Sequence, residues 1–294
     1  MVDKIEKLKR STIQHGPHNS RIYLMKLHSS DLPDIIPALD DLAAGRNYGK
    51  ILSKVPEDFA SFFLDAGYIQ EAIIPEFFNN GQGALFLSKF IAPERFKEQN
   101  ALRDADQMHR IEALISQPLT KIGVSDNRPI LSHQVQKCVP HDAVEMSRLF
   151  RQVFKTYPFP IFEPSYLIHS MDVHSLYFCI RHEDRIVAIA AAETDPDNHS
   201  VEMTDFAVLP AWRGHSCGLA LLIKMEETMR QLHKRIAFTI ARTHSLGINK
   251  MFKKQGYTYA GLLRNNTNIS GGIESMTVWF RKLKKIESFN RTFR

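Results

Sequence analysis

Residues 203–222 read MTDFAVLPAWRGHSCGLALL. A strand ending on Val208, a turn through Pro210 and Gly214, and a helix opening near Gly218 leave several backbone N–H groups at the helix's first turn without intrahelical partners. Donors so placed, at the positive end of a helix, suit a phosphate. Just before the turn, Glu202 and Asp205 share the strand. Their odd separation puts them on opposite faces, so only one points into a cleft unless the strand is bulged.

The pattern around this stretch alternates strands and helices with short turns, an α/β layer structure. Upstream lie a strand near Val135–Val139, a helix opened by His141 or Asp142 and ended by Pro158 and Pro160, a short helix around Ser165–His169, and an antiparallel hairpin of Ser175–Arg181 and Arg185–Glu193. Downstream, the helix from about Gly218 to His233 carries an inward series of Leu219, Leu222, Ile223, Glu226 and Met229. A strand over Arg235–Arg242 follows, then a helix capped by Ser245 and stopped at Gly256. Two last strands, Tyr257–Leu263 and Ser275–Phe280, flank a polar loop over Arg264–Gly272.

At 294 residues with 44% apolar and 24% charged side chains, the chain suits a globular protein of two domains. Its longest apolar runs, such as IVAIAAA at 186–192, fall far short of a membrane span, and MVDKIEKLKR is too charged for a signal peptide. A cytoplasmic protein without membrane contact is expected. Three cysteines, Cys138, Cys179 and Cys217, show no metal spacing and imply reduced thiols, and no metal is expected. The net charge of +6 is spread over short clusters (Lys7–Arg10, Lys234–Arg235, Arg281–Lys285) without the interleaved aromatics of a nucleic-acid platform. Nucleic acid is therefore not an expected partner, whereas an acidic cofactor is compatible.

The N-terminal half contains an internal echo. Phe63-Leu-Asp-Ala-Gly67-Tyr68 aligns without gaps on Phe252-Lys-Lys-Gln-Gly256-Tyr257, and an apolar strand precedes each, Ile51–Val55 and Ile236–Ile240. Two origins stay open: a degenerate half-repeat, or a common helix-Gly-aromatic-strand junction. The expected organisation is an N-terminal α/β companion domain (1–116), a linker (117–129), a second domain (130–283) and a basic C-terminal tail (284–294). No phosphate turn precedes the first copy, so the companion would not bind cofactor but would pack on the second domain or help close its substrate pocket.

The turn resembles the acetyl-CoA-binding segment of the GCN5-related N-acetyltransferases, where an R-x-x-G-x-G/A run wraps the cofactor diphosphate; here it is Arg213-x-x-Ser216-x-Gly218, with serine in place of the first glycine. TIARTHSLGINKMFKKQGY (239–257), LLRNNTNISGGIESMTVW (262–279), RIYLMKL (21–27), YGKILSKV (48–55) and GYIQEAIIP (67–75) resemble the β-lysine N-acetyltransferases over practically the whole chain. The resemblance implies that superfamily's fold, a mixed, mostly antiparallel sheet flanked by helices. It also implies acetyl transfer from acetyl-CoA to the ε-amine of β-lysine, a small diamine supplied by a lysine 2,3-aminomutase, with N6-acetyl-β-lysine serving as a compatible solute. A homodimer is compatible with it. Other acceptors, namely a polyamine, another small amine or a protein lysine, remain alternatives, as does a non-catalytic CoA-binding or protein-interaction module.

The same resemblance distributes roles. Val208 N–H is expected to donate to the oxyanion, and Asp205 or Glu202 to accept the amine's proton, with Asp205 favoured. Val208, Arg213, Gly214, His215, Ser216, Gly218, Leu219 and Ser245 are expected around the cofactor. The tyrosine that often protonates the thiolate is replaced by Phe252, expected in the core. Asn265, Asn266, Asn268 and Glu274, in the polar loop, are candidates for the carboxylate and 3-amine of a zwitterion, or else a plain turn. Arg242 is the basic candidate for the carboxylate.

Overall fold

The computed structural model describes residues 3–97, 101–116 and 135–283. The expected linker 117–129 and tail 284–294 lie outside the described residues. The chain begins with β1 (Lys4–Leu8), β2 (Ser11–Gly16) and β3 (Arg21–Lys26), then α1 (Ile35–Arg46), β4 (Lys50–Pro56), α2 (Ala60–Asp65), β5 (Ile69–Ile74), β6 (Ala84–Phe90), α3 (Pro93–Phe96) and α4 (Ala101–Ser116). It continues with β7 (Val135–Lys137), α5 (Ala143–Val153), α6 (Pro164–Val173), β8 (Ser175–His182), β9 (Arg185–Thr194), β10 (Ser200–Val208), α7 (Cys217–Gln231), β11 (Ile236–Arg242), α8 (Leu246–Lys254), β12 (Thr258–Ile269) and β13 (Gly272–Lys282).

These strands form one sheet in the order β1-β2-β3-β4-β6-β5-β12-β13-β11-β10-β9-β8-β7. Outward from the β5/β12 joint both sides read alike. A hairpin (β5-β6, β12-β13) meets an antiparallel neighbour (β4, β11). That strand pairs in parallel with the one before its helix (β3 across α1, β10 across α7), and antiparallel strands complete each side. The echo seen in sequence is repeated in atomic detail. Tyr68 N–H donates to Phe63 O at 3.1 Å and Tyr257 N–H to Phe252 O at 3.0 Å; the glycines between them have φ of +84° and +85°. Each Phe–Tyr pair is buried edge to face.

The halves meet at a single backbone register, Gly261 opposite Ala72. A Cβ at Gly261 would lie 2.1 Å from Glu71 O, so only glycine allows the approach. Behind the joint, Leu52, Phe77 and Phe86 of the first half pack on Phe238, Met276 and Val278 of the second. Each phenylalanine removed from water there contributes about 1.5–3 kcal/mol. Helix α7 covers one face of the second half through Leu222, Met225 and Met229, while α5 and α6 cover the other through Met146, Phe150 and Leu167.

One sequence expectation is corrected here. Arg264–Gly272 is not a loop: β12 runs to Ile269, with a register slip between Leu263 and Thr267, and turns into β13 at Gly272. Asparagines are poor strand formers, but these are held by partners from the first half.

Candidate active site

Strand β10 carries the irregularity on which the site depends. Its register with β9 slips between Thr204 and Ala207, and Asp205 takes a left-handed backbone, φ +57°. A bulge resets the alternation of side chains. Glu202 and Asp205, on opposite faces of a regular strand, consequently both line the same cavity. Beyond Glu202, β10 also leaves β11: their parallel pairing covers only Ser200–Glu202 against Ile236–Phe238, although both strands continue. Leu209 N–H donates to Val187 O of β9 at 3.0 Å. Alternation therefore turns the Val208 amide the other way, into the opening between β10 and β11.

The cavity measures about 1520 Å³ and is walled by both halves: Gln14, Arg21, Tyr23 and Lys54 from the first, the β10–β11 opening and the α7 and α8 N-termini from the second. Carboxylates collect on one side of it. Burial pushes Asp205 up to about 6, against the opposing pull of hydrogen bonds from Tyr157 and Thr204. Glu202, paired across the strands with Glu193, rises to about 7, again chiefly by desolvation. Glu193 is held well above the usual range by burial and by the charges of Asp205 and Glu202. The Lys54 ammonium, on β4 over the rings of Phe77 and Phe238, is pulled down by desolvation and supported by Glu202, Asp195 and Glu193.

At the opposite side lies the turn into α7. The first intrahelical bond runs from Ala220 N–H to Ser216 O, so the amides of Cys217, Gly218 and Leu219 precede the ladder. Ser216 sits at φ +59° and Gly214 at +82°, and the Ser216 side chain makes no capping bond. The serine thus keeps the left-handed geometry that favours glycine. Arg213, Gly214, Ser216, Gly218, Leu219 and Ser245 line the cavity with Val208; His215 does not, being exposed beside Trp212. Leu219 and Ile223, expected to face inward, form cavity wall rather than core. Gly218 brings α7 against α8, where a Cβ would meet Met251 Sδ at 3.1 Å. Phe252 is fully buried against Phe206 and Tyr257.

The substrate candidates separate. The Arg242 guanidinium lines the cavity but grips Glu274 with two bonds, Nε to Oε2 at 2.9 Å and Nη2 to Oε1 at 2.7 Å, and His244 approaches the same carboxylate at 3.2 Å. Asn265 Nδ2 donates to the Arg95 and Lys97 carbonyls, while Asn268 donates through Nδ2 to His18 O and through its backbone N–H to Asn19 Oδ1. Both fasten β12 to the first half. Of these asparagines only Asn266 lines the cavity, and its buried Oδ1 has no hydrogen-bond partner.

Several residues of the site gave no local signal in the sequence: Tyr157, Glu193, Lys54, Arg21 and Asn249. Asn249 is fully buried and ties three elements together, donating to the Arg242 and Ser245 carbonyls and accepting from Thr277 Oγ1 at 2.6 Å and Trp279 Nε1 at 2.9 Å. It fixes the end of β11 against α8, the cavity's far wall. Among the described residues no cluster of three His, Cys, Asp or Glu side chains could hold a metal, and no helix is long and apolar enough to cross a membrane.

Comparison with known proteins agrees with this geometry. The acetyltransferase (GNAT) family model matches residues 144–257, from α5 through α8. The chain is 35% identical over 280 residues to the β-lysine N(6)-acetyltransferase of Methanococcus maripaludis, covering 95% of this chain and 99% of the relative. It is 28% identical to the N-acetyltransferase YodP of Bacillus subtilis, over 93% and 96% of the two chains. The β-lysine N(6)-acetyltransferase of Methanosarcina mazei is 29% identical, over 85% and 97%. A bulged, splayed strand feeding an amide-rich helix start is thus matched by full-length sequence kinship: the chain belongs to the GNAT acetyltransferases, in the family of the β-lysine N(6)-acetyltransferases.

Proposed function

We propose that the protein acetylates the ε-amine of β-lysine (3,6-diaminohexanoate) with acetyl-CoA, giving N6-acetyl-β-lysine, a zwitterion suited to the role of compatible solute. The observation that carries this is the bulge at Asp205, which brings two carboxylates, one buried and one half-buried, into the same cavity as the amide-rich turn. Acetyl-CoA supplies an acetyl group already activated as a thioester. Arg213 and the amides of Cys217, Gly218 and Leu219 suit its phosphates, and Ser245 and Leu219 line the way to the opening.

The acceptor arrives as an ammonium with a pKa near 10.4 and must lose a proton before it can attack. Asp205 and Glu202 attract the cation, and the aromatic walls around Tyr157, Phe159 and Tyr166 strip its water, which lowers its pKa. Asp205 is placed to take the proton: at about 6 it is ionised at neutral pH, yet more basic than an ordinary aspartate. The Val208 amide faces the opening, where it can donate to an oxygen that gains negative charge.

The first half, residues 1–116, acts as a companion that closes the acceptor side of the cavity and holds no cofactor of its own. Because β-lysine is formed by moving the amino group of lysine, a lysine 2,3-aminomutase is the enzyme placed to supply it. An amine panel assayed with acetyl-CoA tests the acceptor: β-lysine should exceed spermidine, putrescine and lysine-containing peptides in kcat/KM. A preference for spermidine would assign the acidic wall to polyamines instead.

A further inference from the structure

Arg21 is the buried cation of this cavity that the chemistry above leaves unused. It is 4% exposed, and its hydrogen-bond partners are all neutral: Nη1 donates to Asn266 O at 2.7 Å and Thr267 Oγ1 at 3.4 Å, and Nη2 to Gln14 Oε1 at 3.3 Å. Tyr23 lies under the guanidinium, its ring 5.4 Å away. Asp3 supports the charge from a distance, but its carboxylate is spent on His18 and Asn19. The other seam cations differ. Lys50 is neutralised by Glu71 at 2.7 Å, and Arg95 does not line the cavity. Lys54 faces the carboxylates at the amine end. A buried guanidinium on a cavity wall whose hydrogen-bond partners are all neutral is suited to an anionic ligand.

Beside it stands a complementary group. Asn266 is 2% exposed and lines the cavity, and its side-chain oxygen is buried without a partner. Its Nδ2 and Arg21 Nη1 both reach Thr267 Oγ1, at 3.2 and 3.4 Å, so the amide and the guanidinium are immediate neighbours. Gln14 links this corner to the catalytic side, donating to Pro158 O at 3.1 Å, next to the Tyr157 that holds Asp205.

We propose that Arg21 and Asn266 form the acceptor's zwitterion subsite, the guanidinium taking the carboxylate and the asparagine oxygen the neighbouring 3-ammonium. The subsite rests on the amino-acid acceptor proposed above. It gives the first half a part in specificity: a fixed cation and a fixed acceptor at one end, carboxylates for the ε-amine at the other. Arg242, already gripped by Glu274, is not required for the carboxylate.

The test compares β-lysine with its uncharged carboxamide, 3,6-diaminohexanamide, in steady-state kinetics and in calorimetric titration of the CoA-bound protein. The wild type should favour β-lysine over the amide by roughly 100-fold in kcat/KM, because a site built for a carboxylate is left unpaired by the amide. Arg21→Gln should collapse that ratio toward one, mainly through KM. Asn266→Ala should weaken both ligands while preserving the ratio, since both keep the 3-ammonium. A wild type that treats the two ligands alike overturns the subsite without any variant. So does an Arg21→Gln protein that loses both equally, which would make Arg21 purely structural. If the wild type neither binds nor acetylates β-lysine but turns over other amines, the acceptor assignment falls, and the subsite with it.

Discussion

The Tyr157 hydroxyl donates a 2.5 Å hydrogen bond to Oδ1 of Asp205, while Oδ2 of the same carboxylate is buried without a partner. The bond steadies the ionised form and burial opposes it, and burial wins, leaving Asp205 at about 6. A base must be ionised to act, so kcat/KM should fall as pH drops through about 6. Tyr157→Phe removes the stabilising bond and should move that inflection to higher pH. Asp205→Asn should abolish it and lower kcat/KM by about 10²- to 10⁴-fold. An inflection that survives Asp205→Asn but disappears in Glu202→Gln would make Glu202 the base.

The same burial has a cost in stability. Asp205 and Glu202 are raised above their ordinary values, so the fold favours their neutral forms. Their contribution is fully present below about pH 4 and is lost as pH rises through about 6 and then about 7. Asp205→Asn, permanently neutral, should therefore melt about a few degrees higher than the wild type at pH 8, with the difference vanishing toward pH 4. Thermal unfolding across pH checks this; a variant less stable at pH 8 would show that the ionised carboxylate stabilises the site.

Gly261 bears the joint of the two half-sheets. An alanine methyl there would stand 2.1 Å from Glu71 O and 2.6 Å from Ala72 Cα, so Gly261→Ala must push β5 from β12. A loss of about 3 kcal/mol or more is expected in denaturant unfolding. Wild-type stability in this variant would mean that the two backbones do not meet there.

Ser216 occupies a left-handed position in the anion turn. If only the backbone matters, Ser216→Gly should keep the KM for acetyl-CoA within about twofold, because glycine adopts the same left-handed geometry and leaves the amides of the turn in place. Ser216→Val, β-branched at positive φ, should raise that KM about tenfold or more. A tenfold loss on Ser216→Gly would instead assign the contact to the hydroxyl.

Much of the fold was legible because its signals are local. The strand-Pro-Gly-helix turn at 208–218, the hairpin at Asp184 and the Gly256 stop all follow from residues within one turn of each other. The site was legible only where it is equally local. Opposite faces for Glu202 and Asp205 assumed a regular strand, and the bulge cancels that parity. Asn265 and Asn268 have the composition of a turn, yet they lie in a strand because their partners, Arg95, Asn19 and His18, sit 170–250 positions away. Arg21 and Tyr157 were missed for the same reason: a charge or a hydroxyl acquires meaning only once distant segments are brought to one wall.

The central claim is tested most directly by incubating the purified protein with acetyl-CoA and β-lysine, following thiol release and identifying the product by NMR. One thiol should appear per acetyl transferred, with the C6 methylene protons moved to amide positions and the C3 proton unchanged. Thiol release no faster than without β-lysine, or acetyl found on the 3-amine, would contradict it.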